Sequence, residues 1–200
     1  MAMARRIVPD RCAGIIVDFQ DFFLAQLDKS ARPKIKANTK SFARLLGYFK
    51  IPIIVTLERP VEHKGAFPKE IGRSLGREAD VFEKDYFDLT KERRIKEYLG
   101  RLNRKQIIMC GCETDVCVLQ SCLGLLVLGY EVYVVEDLLF SSSCNVESAI
   151  LRMRAADAVF LSYKTLYYEL LEAVEGGRHA EKLFAALGPM PEDLANIAFE

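Results

Sequence analysis

Apolar residues along this chain fall into two alternating kinds of run. The first kind is short, continuous and rich in β-branched residues: Ala13–Phe19, Ile51–Leu57, Ala79–Lys84, Lys105–Gly111, Glu131–Asp137 and Val159–Tyr163. Such runs predict strands buried on both faces. The second kind repeats at helical spacing. Arg32–Lys50 places Ile35, Phe42, Leu45, Leu46 and Phe49 on one stripe, Thr90–Asn103 is amphipathic with Thr90 as candidate cap, and Thr114–Tyr130 reads as a helix that is apolar nearly all round over Val116–Tyr130. Asn145–Ala158 predicts a further helix with Asn145 as cap, and Lys164–Glu200 reads as helical with a break at Gly176–Gly177. Between them, Glu58–Arg77 is rich in Pro, Gly and charge and reads mainly as loop. Strands alternating with helices predict an α/β fold. The expected architecture is a three-layer αβα sandwich around a mostly parallel, doubly wound sheet of about six strands. Residues 1–200 are expected to form a single domain.

Composition narrows the partners. Half of the residues are hydrophobic, which argues against disorder. Basic and acidic residues balance at 28 each, so charge points to neither nucleic acid nor a membrane surface. The longest uncharged stretch, Val116–Tyr130, is short of the roughly 18 to 20 residues that span a bilayer. The basic start ends its apolar run at Asp18, unlike a signal peptide. A cytoplasmic protein is expected, with its six cysteines mostly reduced.

In parallel sheets ligands bind at the carboxyl ends of the strands. That rule selects Asp18 after the first strand, Lys84 after the third, and Gly111 leading into Cys117. Each has a plain alternative: Asp18 as a turn residue, Lys84 as a solvated charge, Cys117 as buried filler. Buried filler is the reading for Cys12, Cys110, Cys122 and Cys144. Cys110 and Cys112 are too close for a zinc pair, and His63 and His179 are isolated, so no metal is expected. Cys117 differs because it falls in the first turn of a helix, where free amides favour a thiolate. Thr114 and Asp115 read as residues capping that helix.

The strings "GIIVDFQDFF", "FEKDYFD" and "GCETDVCV" resemble the isochorismatase-like cysteine hydrolases, in order and spacing, from Ala13 to about Tyr163. The resemblance implies Cys117 as nucleophile, Asp18 as general acid/base and Lys84 as the third catalytic residue. It also implies a cis Cys112–Glu113 peptide, with the backbone amides of Glu113 and Cys117 forming an oxyanion hole. Gln20, Phe23, Tyr86 and Phe87 then become candidates for the substrate pocket. Relatives that hydrolyse nicotinamide carry an Asp-x-His metal site after the second strand, where this chain has Glu58 and Arg59. The implied activity is therefore metal-free and cofactor-free hydrolysis of a small amide or related C–N substrate through a thioester. A divalent ion on Glu58 and Glu62 would be an adventitious oxygen site. Two other readings stay open: a catalytically silent scaffold used as an interaction subunit, and a thiol redox sensor pairing Cys117 with Cys112 or Cys122. The apolar outer face of Val116–Tyr130 predicts packing against a second subunit, giving a homo-oligomer, or against the C-terminal helices.

Overall fold

A computed structural model describes residues 5–75, 79–173 and 177–187; Arg77, Gly176 and the tail after 187 lie outside the described residues. The six apolar runs form β1 (Cys12–Val17), β2 (Ile53–Glu58), β3 (Ala79–Lys84), β4 (Gln106–Gly111), β5 (Glu131–Leu139) and β6 (Val159–Leu161). They build one sheet in the order β3-β2-β1-β4-β5-β6, and every pairing is parallel. The helices are α1 (Asp21–Leu24), α2 (Ala31–Tyr48), α3 (Val61–Lys64), α4 (Lys69–Gly72), α5 (Arg93–Leu102), α6 (Leu119–Val127), α7 (Glu147–Ala155), α8 (Tyr163–Leu171) and α9 (Arg178–Leu187).

Strand periodicity divides the core into two layers. Cys12 and Ile16, Ile53 and Val55, Ile108 and Cys110, and Tyr133 and Val135 face a layer closed by Phe42, Leu45 and Leu46 of α2 and Leu166 and Leu170 of α8. Ala13, Ile15 and Val17, with Ile54, Ile107, Met109, Val132 and Val134, face the layer closed by Ile95 and Leu99 of α5, Cys122 and Leu125 of α6, and Met153 of α7. The sheet is thus flanked by helices on both faces. Of the stripe expected on α2, Phe49 falls beyond the last turn and is only partly buried.

Local chemistry moved several boundaries. Asp88, not Thr90, caps the turn ahead of α5: its carboxylate accepts the Thr90 N–H at 2.9 Å. Val146 rather than Asn145 precedes α7. The expected helix from Thr114 opens as a π-turn, Thr114–Val118, in which the Val118 N–H reaches back five residues to the Glu113 carbonyl at 3.0 Å. Such turns widen the helix and re-aim its side chains. The C-terminal helices α8 and α9 pack in the α2 layer, so they do not cover the outer face of α6, where Val127 is 87% exposed. None of the helices among the described residues is long and apolar enough to cross a membrane.

The sheet order reverses between β1 and β4, and the two strands meet closely there. Gly111 ends β4 at φ +116°, and a Cβ on it would lie 2.1 Å from the Val17 carbonyl oxygen. That oxygen accepts the Cys112 N–H at 3.0 Å. Gly111→Ala therefore meets both a forbidden backbone angle and a backbone clash. It is expected to cost about 2 kcal/mol or more of stability. A denaturation midpoint unchanged from wild type would contradict this.

Candidate active site

Four strand ends supply the site. Asp18 follows β1 with φ +46°, a left-handed conformation that Asp tolerates better than most residues. Glu58 ends β2 and Lys84 ends β3, and the two are register partners. Beyond β4, the π-turn delivers Cys117. All four lie at the carboxyl edge of the sheet near the β1/β4 reversal, the position at which parallel sheets generally bind ligands.

The side chains meet. Lys84 Nζ lies 2.7 Å from Asp18 Oδ2, 3.4 Å from Cys117 Sγ and 3.8 Å from Glu58 Oε2. Asp18 Oδ1 accepts the Thr56 hydroxyl at 2.8 Å, and Thr56 Oγ1 in turn accepts the Asp18 N–H at 3.2 Å. The Cys117 thiol donates to Glu58 Oε2 at 3.0 Å, while Lys64 Nζ donates to the other Glu58 oxygen. Asp18 and Lys84 are fully buried and Cys117 is 1% exposed.

Burial sets the protonation states. It pushes the Asp18 carboxyl above the usual carboxylate range, opposed by the Lys84 charge. Burial also works against the Lys84 ammonium, but Asp18, Cys117 and Glu58 outweigh it and hold the amine above its ordinary value. Glu58 pays some desolvation, yet the Cys117 hydrogen bond and the Lys64 and Lys84 charges lower it. Cys117 is pushed far up by burial, then by Asp18 and Glu58, against the opposing pull of Lys84. The position of Cys117 at a helix start suggests a lowered thiol; the surroundings reverse that, and the resting sulfur is a protonated thiol.

Asp18, Glu58 and Cys117 offer donor atoms all within 4.8 Å of one another, a set that would suit a metal ion. The Lys84 ammonium already sits among them and supplies the positive charge. The nicotinamidase-type pair does not fit here: β2 ends in Glu58 and continues into Arg59-Pro60, and His63 is exposed on α3. Nor do Glu58 and Glu62 form an oxygen site together, because the Glu58 carboxylate is turned onto Lys64 and Cys117 and Glu62 is exposed.

Other expected site residues take several roles. The Cys112–Glu113 peptide is cis. The Glu113 carboxylate accepts from the Ser141 and Ser142 hydroxyls at 2.9 and 2.7 Å. Gln20 is buried and braces the Glu58 loop: its carbonyl oxygen accepts the Glu58 N–H at 2.7 Å, and its amide donates to the Glu58 and Gly65 carbonyls. Its amide group is thus engaged by backbone rather than presented to a pocket. Phe23 is buried beneath the Lys64 ammonium, 5.8 Å from its ring. Tyr86 and Phe87 are about half exposed, and Tyr86 borders an outer groove with Asp88, Lys91, Leu123 and Val127. Thr114 and Asp115 do not cap the helix; they tie the π-turn to the end of β5, through the Phe140 carbonyl and the Ser141 hydroxyl. Cys12, Cys110 and Cys122 are buried as expected, with Cys12 and Cys122 pushed up to about 12, but Cys144 is exposed. Sequence reasoning named Glu58 only as a weak metal ligand and missed its contacts with Cys117 and Lys84. A carboxylate at a strand end facing the Lys84 strand was the available signal.

The thiol's environment makes a test. Cys144 is expected to react with iodoacetamide before Cys117 at neutral pH, because Cys117 is buried and protonated. Its rate should rise about tenfold per pH unit between pH 7 and 9, since the thiolate fraction grows in that proportion below the thiol pKa. Peptide mapping that shows Cys117 labelled first, at a rate independent of pH, would contradict this assignment.

The isochorismatase domain description matches residues 12–164. The secreted isochorismatase effector Isc1 of Phytophthora sojae is 30% identical over 171 residues, covering 82% of this chain and 79% of its own length. Among solved structures, the Escherichia coli YcaC gene product, described as an octameric hydrolase of unknown specificity, superposes with a TM-score of 0.84 at 22% identity, covering 98% of this chain and 97% of that one. The Staphylococcus aureus nicotinamidase gives 0.65 at 18% identity, over 76% of this chain and 98% of its own. The fold is therefore that of the isochorismatase-like hydrolases. With a match across residues 12–164, the chain belongs to the isochorismatase domain family, whose members are generally hydrolytic.

Proposed function

We propose that the protein is a cysteine-dependent hydrolase of a small, non-peptide amide or related C–N compound. The observation that carries this reading is the meeting of Cys117, Lys84 and Asp18 within hydrogen-bonding or ion-pair distance at one edge of the sheet. Asp18, whose carboxyl is raised by burial, takes the Cys117 proton as the sulfur attacks the carbonyl carbon. Lys84 stabilises the developing thiolate and holds the pair. The Glu113 and Cys117 amides receive the carbonyl oxygen as it becomes an oxyanion, a device worth roughly 3 to 4 kcal/mol per donor elsewhere. The C–N bond breaks, the proton passes from Asp18 to the leaving nitrogen, and water hydrolyses the thioester. None of these steps calls for a Lewis acid.

This reading treats residues 1–200 as one domain, cytoplasmic, with a small molecule as substrate. It keeps a second copy of the chain as the partner for the exposed Val127 of α6 and Leu128 just after it; a monomer by light scattering at micromolar concentration would remove that element. A silent scaffold is disfavoured by the intact cluster, since burying Asp18 and Lys84 together has no evident structural benefit over an apolar pair.

A library of small amides, read out as ammonia release, is the test. Cys117→Ala is expected to abolish turnover of any hit while altering stability by less than about 1 kcal/mol. Wild-type turnover in that variant would remove the nucleophile assignment. Activity is also expected to survive exhaustive dialysis against chelator; loss restored by zinc, iron or manganese would restore the metal-dependent alternative.

A further inference from the structure

Glu58 is the least buried member of the cluster. Its side chain is 14% exposed, whereas those of Asp18 and Lys84 are 0% exposed. A molecule that brings a carbonyl carbon to Cys117 Sγ comes within reach of Glu58 Oε2, which is 3.0 Å from that sulfur. Both cations that touch Glu58 are already engaged. Lys64 Nζ donates to Glu58 Oε1 and, at 2.9 Å, to the Arg59 carbonyl. Lys84 is paired with Asp18. Gln20 fixes the Glu58 backbone on both its N–H and its carbonyl, so the carboxylate is held in place. An incoming carboxylate would face an anion across a few ångströms. An incoming N–H would find an acceptor.

We propose that Glu58 is the specificity-determining residue of this site: its Oε2 accepts an N–H of the substrate in place of the Cys117 S–H. The site then takes acyl compounds with an uncharged or cationic N–H donor at the scissile carbon, of the primary amide or ureido class, and turns away carboxylates at that position. The proposal rests on Cys117 being the nucleophile. In the exchange the substrate N–H replaces S–H on Glu58, and the freed thiol proton moves to Asp18. The C–S bond forms, the C–N bond breaks, and the Asp18 proton leaves with the nitrogen. Water then cleaves the thioester, one of its protons returning to sulfur through Asp18, and Glu58 stays ionised throughout. The same contact occupies the thiol proton until a substrate N–H displaces it.

The experiment needs no known substrate. The full chain is alkylated with iodoacetamide or with iodoacetate, which differ by an amide against a carboxylate beside the reacting carbon, and each cysteine is followed by peptide mass mapping. Exposed Cys144 serves as the internal reference. In wild type the preference for iodoacetamide at Cys117 should exceed that at Cys144 by about tenfold or more, the scale of one nearby like charge. Glu58→Gln should bring the Cys117 preference down to that of Cys144 and raise the absolute iodoacetamide rate, because the acceptor holding the thiol proton is weakened. Glu58→Asp should keep the preference. Equal preferences at Cys117 and Cys144 in wild type, or an unchanged preference in Glu58→Gln, would overturn the proposal. If Glu58→Gln unfolds, seen as labelling of buried Cys110, the wild-type comparison alone decides. Failure of the nucleophile reading would show separately, as hydrolysis that persists in Cys117→Ala.

Discussion

The contact on which the site depends is the ion pair between Asp18 and Lys84, 2.7 Å apart with neither side chain exposed. Removing two charges from water costs several kcal/mol per ion, and their attraction offsets this only with close geometry and additional hydrogen bonds. Both conditions are met. Thr56 bonds the remaining Asp18 oxygen, and Cys117 and Glu58 lie near the Lys84 ammonium. The pair also bridges the sheet. Asp18 leaves β1 and Lys84 ends β3, with β2 between them, so the lysine must reach across about two strand spacings of roughly 4.8 Å each. Its four-carbon stem makes that reach possible, and Thr56 and Glu58 of the intervening strand line the path.

Two carboxylates beside one lysine and one thiol are driven apart by burial. Asp18, sealed in, is raised; Glu58, partly open and bonded by Lys64 and the thiol, is lowered. Divergent carboxyl environments are how one site separates proton exchange from fixed negative charge. Here the carboxyl that is raised is the fully buried one, and the one that is lowered is partly exposed. The thiol between them is pushed up by burial and by both carboxylates, while Lys84 favours the thiolate.

The sheet was readable in the chain because buried parallel strands are continuous apolar runs, and Ile15, Ile54, Ile107 and Val134 sit as that pattern requires. Asp18, Lys84 and Cys117 were readable because strand ends converge in a parallel sheet, whatever the length of chain between them. Glu58 was not: as one charge opening a charge-rich segment, it looked like the start of a loop, and only the β2–β3 register sets it beside Lys84. Gln20 was expected at a pocket wall because its type and position allowed it, but whether an amide faces substrate or backbone depends on the path of the Glu58–Gly65 segment. Tyr86 and Phe87 illustrate the same limit, since two residues past Lys84 the chain has already left the sheet edge for the surface. The charge state of Cys117 followed from burial, which a helix-start argument leaves out.

The most direct measurement of whether Asp18, Lys84 and Cys117 act as one unit is a double-mutant cycle on turnover, with Asp18→Asn, Lys84→Met and the combined variant, using an amide hit from the ammonia screen. Groups that act together lose their effect together. The account requires each single variant to lose several orders of magnitude of turnover and the double variant to lose little more than either. A double variant whose loss equals the product of the single losses would mean that the buried pair is two independent charges, and the account of the site would be wrong.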